Sequence, residues 1–263
     1  MYDTQFIKAS NTAEAANAIA NADDGKLLAG GMTLIPTMKQ RLAAPDCLVD
    51  LSGCELSSVE ENGDSIKIGA MTTHADVASS ALVQSAIPAV ADLAGNIGDR
   101  QVRNRGTIGG SVANNDPSAC YPSAVMGLGG TVHTSSRDIS AEAFFTGMFE
   151  TALEEGEIIE AISLPKPEKA AYIKFPNPAS RYAMVGVFVA KTADGVRCAV
   201  TGAGDDGVFR CTEIEEALSA DFSASALDNI TLSADGLTSD IHASAAYRAS
   251  LIVEMAKRAV AAC

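Results

Sequence analysis

The sequence contains no tryptophan and only three histidines, and none of its six cysteines forms a C-x-x-C pair. These absences argue against a zinc ribbon, a thioredoxin-like motif and an iron–sulfur cluster bound by this chain, because each needs closely spaced ligands. Without an export signal the cysteines are expected to stay reduced. Any redox chemistry must therefore depend on an organic cofactor.

Basic residues are scarce as well: 19 Lys and Arg stand against 33 Asp and Glu, which gives a net charge of −14. The sequence contains no basic tract. The balance argues against a nucleic-acid partner. No apolar run approaches the roughly 18 residues that span a bilayer, so no membrane span is predicted. Because the N-terminus lacks the order of a signal peptide, we expect a cytoplasmic protein that begins near Met1.

What remains is ordinary for a globular protein: 47% of the 263 residues are apolar, enough for a buried core. A helix is predicted over Thr12–Asn21, followed by a strand at Leu27–Ala29, a glycine turn and a helix with Pro36 in its first turn. Another helical segment begins at its cap Thr73 and is divided by Pro88. Further strands are predicted at Cys47–Ser52, Ser65–Thr73, Ala124–His133 and Glu157–Pro165.

Four prolines between residues 165 and 178 mark the start of a new segment, and we place a subdomain boundary near Pro165. This segment begins with strands joined by an Asp194-Gly195 hairpin turn and ends in helices. The last helix is expected to bury one face, formed by Ala246, Leu251, Met255 and Val260.

Two glycine turns carry the chemical signal, the first at 29–34 (AGGMTL) and the second at 107–111 (TIGGS). Each presents successive backbone N–H groups and hydroxyls suited to phosphate oxygens, although a single glycine pair also occurs in ordinary turns. Neither turn fits G-x-G-x-x-G or the Gly-Lys-Ser/Thr of a P-loop. A Rossmann domain and a nucleoside triphosphatase are therefore disfavoured.

With their flanks, the strings LAGGMTLIPTMKQRL, IGDRQVRNRGTIGGSVANNDPSA and DIHASAAYRASLIVEMAKRAV resemble the FAD-binding subunits of molybdenum-containing hydroxylases. The likeness is to the family of the aerobic carbon monoxide dehydrogenase medium subunit and of xanthine dehydrogenase, and it covers essentially the whole chain. It implies an α+β fold: a two-subdomain FAD-binding domain of the vanillyl-alcohol-oxidase (PCMH) type at 1–165, divided into about 1–55 and 56–165. A smaller C-terminal α+β domain of the carbon monoxide dehydrogenase flavoprotein type would occupy 166–263.

The resemblance also implies a set of cofactor-binding residues and no catalytic or metal-binding residue. The pyrophosphate of FAD would be held by Ala29, Gly30, Gly31, Met32, Thr33, Leu34, Ile35, Thr107, Ile108, Gly109, Gly110 and Ser111. The ribityl and ribose hydroxyls would contact Asn115 and Asp116. Ile159, Lys174 and Tyr182 would lie at the isoalloxazine ring.

Simpler interpretations stay open for several of these residues. Asp116 also suits the cap of its own turn. Ile159 and Tyr182 also suit an ordinary core, and Lys174 a solvated strand. Cys120 departs from the family, which usually has an aspartate that contacts the cofactor at this position, so that contact is in doubt.

The resemblance fixes no role for one histidine or for the three arginines that precede the second turn. His74 is expected on the surface at a helix N-terminus, and since no motif links it to flavin attachment, FAD should be non-covalent. Arg100, Arg103 and Arg105 suit either the cofactor's phosphates, an acidic partner surface or surface ion pairs.

The resemblance implies an electron-transfer subunit of an oxidoreductase. [2Fe–2S] clusters on a small partner subunit would pass electrons to FAD, and FAD would pass them to an external acceptor. The substrate would be oxidised at molybdopterin on a large partner subunit, in a heterotrimer or its dimer. The alternatives are a stand-alone FAD-dependent oxidase and an assembly protein that has lost FAD.

Overall fold

Three β-sheets with associated helices follow one another along the chain in an α+β arrangement, and the computed structural model describes residues 2–263. The first sheet is parallel, with strand order β1-β3-β2. Its segment contains β1 (Gln5–Lys8), α1 (Thr12–Ala20), β2 (Gly25–Leu28), α2 (Leu34–Lys39) and β3 (Cys47–Asp50). The first glycine turn therefore connects the carboxyl end of β2 to α2, as the sequence predicted.

The second sheet is antiparallel and has the order β4-β5-β10-β6-β7. Its strands are β4 (Val59–Asn62), β5 (Ser65–Gly69), β6 (Thr131–Thr134), β7 (Asp138–Ser140) and β10 (Ile159–Pro165). A short helix and a two-stranded hairpin lie between β7 and β10, namely α9 (Ala141–Phe144), β8 (Phe145–Gly147) and β9 (Glu150–Thr151).

A run of six short helices fills the long connection from β5 to β6. They are α3 (His74–Ser79), α4 (Ala81–Ala86), α5 (Pro88–Gly95), α6 (Arg100–Arg103), α7 (Ile108–Asn114) and α8 (Tyr121–Gly127). The Thr73 hydroxyl accepts the N–H of Asp76 and caps α3, while Pro88 opens α5 at a position where its missing N–H costs nothing. The cap at Thr73 and the break at Pro88 are confirmed, but the segment forms three helices and not two, because Ser80 ends α3 and caps α4.

The predicted strand over Ala124–His133 is wrong. Residues up to Gly127 form α8, and only Thr131–Thr134 extend as β6. Pro122 lies in the first turn of α8, and Gly129, with φ of 65°, ends the helical path before the strand begins. A short apolar run does not distinguish a buried helix from a buried strand, which is why the pattern misled.

The third sheet is antiparallel, with order β11-β12-β13-β14. The segment contains β11 (Lys169–Pro176), β12 (Ala183–Thr192), β13 (Gly195–Gly204), β14 (Gly207–Arg210), α10 (Thr212–Ala220), a 3₁₀ turn (Ala224–Leu227) and α11 (Ala245–Ala262). The predicted Asp194-Gly195 turn does connect β12 to β13.

Both faces of the third sheet are covered, because side chains alternate along its strands. Val185 and Val187 of β12 pack into the cluster formed with α10 and α11, while Phe188 packs into the cluster that includes α8. A Cβ at Gly127 would lie 2.8 Å from Phe188 Cδ1, so α8 lies directly on the sheet. Because this cluster crosses residue 165, the division at that position stays a prediction.

The buried face of α11 differs from the predicted one at its first turn. Leu251, Met255 and Val260 are buried as expected, but Ala246 is exposed and the charged Arg248 is buried in its place. The Arg248 guanidinium donates to the carbonyl oxygens of Met184 and Gly202 and to Asp240, and so connects α11 to β12 and β13.

Replacing this guanidinium tests its structural role. Arg248→Met should lower the free energy of unfolding by about 2–4 kcal/mol, because two buried carbonyl oxygens lose their donor. Arg258→Met is the matched control on the same helix: its partner Glu254 is exposed, and its loss should cost no more than about 0.5 kcal/mol. Urea denaturation of both variants measures the difference, and equal stabilities would contradict the role of Arg248.

Candidate functional site

A cavity of about 730 Å³ lies where the first glycine turn meets α7, α8 and the start of the third sheet. This volume is within the range of small-molecule and cofactor sites. Most of the predicted site residues line it, from all three segments of the chain: Ala29, Gly30, Gly31, Met32, Thr33, Leu34, Thr107, Gly109, Gly110, Ser111, Asp116, Ile159, Lys174 and Tyr182.

The first glycine turn is rich in free backbone donors. Within residues 2–263, none of the N–H groups from Ala29 to Leu34 donates a hydrogen bond to the protein. Gly31 has φ of 71°, a conformation that an L-residue adopts only with strain. Successive N–H groups of this kind form a concave site for an anion, and the low polarity of the surroundings strengthens the interaction.

The second glycine turn has a different role from the one expected, because its N–H groups are already used. Ile108 and Gly109 donate to the carbonyl oxygens of Thr72 and Ala70, and Gly110 donates to the hydroxyl of Thr107. Its glycines instead allow close packing: a Cβ at Gly109 would lie 2.5 Å from that of Ala70. The turn therefore contributes shape and the hydroxyl of Ser111, which lines the cavity.

The two turns lie against each other. A Cβ at Gly30 would lie 2.0 Å from the Arg105 carbonyl oxygen, and one at Gly110 would lie 3.4 Å from the Cβ of Ala29. Any larger residue at Gly30 would push the turns apart. The glycines at these positions thus determine the width of the cavity at its anion-binding end.

Beyond the turns, the cavity wall is formed by residues that precede α8 and by the loop from β11 to β12. Lys174 Nζ donates to the carbonyl oxygens of Asn96 (2.8 Å) and Arg181 (3.0 Å) and lies 3.7 Å from Cys120 Sγ. Tyr182, which follows Arg181 in the sequence, also lines the cavity, and the residue is 48% exposed. Burial, and then the negative charges of Asp116 and Cys120 when ionised, raise the pKa of Tyr182.

Two acidic side chains line the cavity, and only one has a free carboxylate. Glu157 receives two hydrogen bonds of 3.1 Å from the Arg137 guanidinium, which together with the Thr134 hydroxyl brings its pKa to about 2. Asp116 accepts only the N–H of Ser118, and burial raises the pKa of its carboxyl group. Asp116 is thus the acceptor that remains for ligand hydroxyls.

Three predicted residues do not reach the cavity wall. The N–H of Ile35 donates to Gly31, and Ile108 is buried in the core. Asn115 adopts φ of 40°, and its amide nitrogen donates to the carbonyl oxygens of Gly147 and Glu150, so it anchors the β8–β9 hairpin. The neighbouring Asn114, which was not singled out, lines the cavity instead.

The three arginines that precede the second turn are also absent from the cavity wall. Arg103 donates to the carbonyl oxygens of Ile97 and Gly98 and holds the loop before α6. Arg100 and Arg105 are exposed. Sequence alone gave no sign that Arg181 would line the cavity, since its place depends on the loop between β11 and β12.

His74 is not on the surface, contrary to expectation. It is 95% buried, lines the cavity and packs at 5.3 Å against the ring of Tyr121, and its Nδ1 has no partner within residues 2–263. Desolvation, and then the charge of Arg103, lower its pKa to about 4. The imidazole is therefore neutral at physiological pH.

The depressed pKa of His74 makes the stability of the fold depend on pH. As the pH falls from about 6.5 to about 4, the unfolded chain takes up a proton that the folded chain excludes. The free energy of unfolding should fall by on the order of 3 kcal/mol from this group. His74→Gln should remove that part of the loss in urea titrations across this range. The exposed His242→Gln is the control, and identical pH profiles for wild type and His74→Gln would contradict the assignment.

Three negative findings complete the description. In the part of the chain that the structure describes, no group of three or more His, Cys, Asp or Glu side chains is arranged to hold a metal ion. No helix within that range is long and apolar enough to cross a membrane. All six cysteines are free thiols. The cavity is large enough for an extended ligand, and its free N–H groups suit an anionic group on that ligand.

Comparison with known proteins identifies the class of that ligand. A family model described as the FAD binding domain in molybdopterin dehydrogenase matches residues 2–167. The chain is 33% identical to the nicotine 6-hydroxylase medium subunit of Paenarthrobacter nicotinovorans over 97% of this chain and 95% of the relative. It is 33% identical to the carbon monoxide dehydrogenase medium chain of Hydrogenophaga pseudoflava, over 90% and 88% of the two chains.

A solved structure of carbon monoxide dehydrogenase from Hydrogenophaga pseudoflava superimposes with a TM-score of 0.86 at 31% sequence identity, covering 99% of this chain and 96% of the other. The chain belongs to the family of FAD-binding subunits of molybdenum hydroxylases. It is accordingly an oxidoreductase subunit with a FAD-binding domain.

Proposed function

We propose that the chain binds FAD non-covalently in the 730 Å³ cavity and transfers electrons from [2Fe–2S] clusters on a partner subunit to an external acceptor. The observation that carries this proposal is the run of free N–H groups from Ala29 to Leu34, facing the close-packed second turn. These donors fit a pyrophosphate, whose charge requires compensation when it leaves water.

The rest of the cavity wall fits the other parts of FAD. The free carboxylate of Asp116 suits the hydroxyls of the ribityl or ribose unit, and the hydroxyl of Ser111 adds a donor beside the pyrophosphate. Tyr182 offers an aromatic face to the flat isoalloxazine ring, with Ile159 and Lys174 as further wall residues. When bound, FAD supplies the exchange between one-electron and two-electron transfer.

The partners are proposed from the relatives. The matched proteins are named as medium subunits or chains, and one as a subunit of a dehydrogenase complex. An iron–sulfur small subunit and a molybdopterin large subunit, in a heterotrimer or its dimer, would complete the enzyme.

The stand-alone oxidase and the FAD-free assembly protein receive less support. An oxidase would act alone, whereas the relatives that match over most of the chain are named as medium subunits or medium chains. An assembly protein would have no need of a turn with free N–H donors, packed by means of its glycine against the second glycine turn.

The second glycine turn provides a direct test of the cofactor's position. Gly110→Val places methyl groups between Thr107 and Ala29, where the pyrophosphate should enter, and should abolish flavin retention. Gly95→Val is the control: this exposed glycine at the end of α5 has only the Cβ of Ala78 near its own Cβ position, at 3.9 Å, and should keep FAD. Flavin content is measured after gel filtration, and far-UV circular dichroism should show a native fold in both. Stoichiometric FAD in Gly110→Val would place the pyrophosphate elsewhere.

The relay itself is tested by the visible spectrum and cofactor content of the chain purified with its neighbouring subunits and, separately, alone. We expect flavin together with iron–sulfur absorbance in the complex, and no reduction of the flavin by small organic substrates in the isolated chain. Stoichiometric flavin that such a substrate reduces in the chain alone would favour the oxidase. No flavin in either preparation would favour the assembly protein.

A further inference from the structure

The ammonium group of Lys174 has no acidic partner. Its three neighbours are the carbonyl oxygens of Asn96 and Arg181 and the sulfur of Cys120. No carboxylate oxygen within residues 2–263 lies within 4 Å of Nζ, although other lysines of the chain, such as Lys166 and Lys191, form ion pairs. A half-buried lysine in a strongly acidic chain is ordinarily paired, because burial makes an isolated charge costly.

Cys120 occupies the position from which an acid would pair with this lysine. It is 95% buried, lines the cavity and immediately precedes α8, where its side chain forms no capping bond. Its Sγ lies 3.7 Å from Lys174 Nζ. A carboxylate at this position would compensate the ammonium charge directly, whereas a cysteine side chain is only a weak hydrogen-bond partner.

The uncompensated charge lies beside the aromatic side chain of the cavity wall. The carbonyl oxygen that Lys174 contacts at 3.0 Å belongs to Arg181, and the next residue is Tyr182. Cys120 and Tyr182 line the same cavity, as does the carboxylate of Asp116. Lys174, Cys120 and Tyr182 thus belong to the same cavity wall, with Lys174 and Cys120 in contact.

We propose that Cys120 tunes the cofactor: by leaving Lys174 unpaired, it makes the cavity favour reduced, anionic flavin over oxidised flavin. The inference rests on the proposed binding of FAD with its isoalloxazine ring near Tyr182. Two electrons and one proton convert oxidised flavin into its anionic reduced form, and a nearby cation in a cavity of low polarity stabilises the added negative charge. Cys120 is a positioning residue in this scheme, since it acts through the charge of Lys174.

The test is a pair of variants with the same shape and different charge, Cys120→Asp and Cys120→Asn, in the full chain purified with its neighbouring subunits. Flavin content is measured first, and the two-electron midpoint potential is then obtained from the flavin absorbance in a redox titration. Cys120→Asp should lower the preference for reduced over oxidised flavin about tenfold, which corresponds to a fall of about 30 mV. Cys120→Asn should leave the potential unchanged.

Two further variants keep the outcome decisive. Lys174→Gln removes the cation and should lower the preference for reduced over oxidised flavin by a similar factor. This variant supplies the measurement if Cys120→Asp does not retain flavin. Cys120→Ser stays neutral and should match wild type. Equal potentials for Cys120→Asp and Cys120→Asn, an unchanged potential in Lys174→Gln, or a raised potential in Cys120→Ser, which would mean that the native thiol is ionised, would each overturn the inference. Wild-type protein without any flavin would contradict the proposed function instead.

Discussion

The close contact between the two glycine turns is the constraint on which the cavity depends. The Arg105 carbonyl oxygen occupies the space of a Cβ at Gly30, and the Cβ of Ala29 lies beside Gly110. The second turn is itself held by hydrogen bonds to the carbonyl oxygens of Ala70 and Thr72, at the end of β5. The N–H groups of the first turn, by contrast, are left free. One turn is thus fixed by hydrogen bonds, and the other offers its free N–H groups to the cavity.

Local signals in the sequence were sufficient for the elements around this contact. The strand, turn and helix that include Pro36, the cap at Thr73 and the division at Pro88 each depend on residues within a few positions of one another. The cofactor-binding roles of the residues stay predictions, although the structure brings most of them to one cavity.

Features that depend on distant parts of the chain were not predictable in the same way. The second turn was expected to offer N–H groups, but those of Ile108 and Gly109 donate to the carbonyl oxygens of Thr72 and Ala70, which a local pattern cannot reveal. On the buried face of α11, Arg248 lies where Ala246 was expected, because carbonyl oxygens of β12 and β13 accept hydrogen bonds from its guanidinium. The strand predicted at Ala124–His133 was wrong because the first part of this segment is a helix that packs against Phe188. Gly127 lies at the contact and leaves room for the ring.

The charge of the cavity wall is the opposite of what the composition suggests, since the chain carries a net charge of −14. The wall presents free N–H groups at one end and the unpaired Lys174 at the other, while Arg137 neutralises Glu157. Net charge governs interactions at long range, but within a cavity of low polarity the nearest few groups dominate. In the proposed complex, the free N–H groups and Lys174 would therefore outweigh the distant acids of the surface, while Asp116 is the one free carboxylate of the cavity wall within residues 2–263. The thiol of Cys120 keeps a second carboxylate from the position beside Lys174.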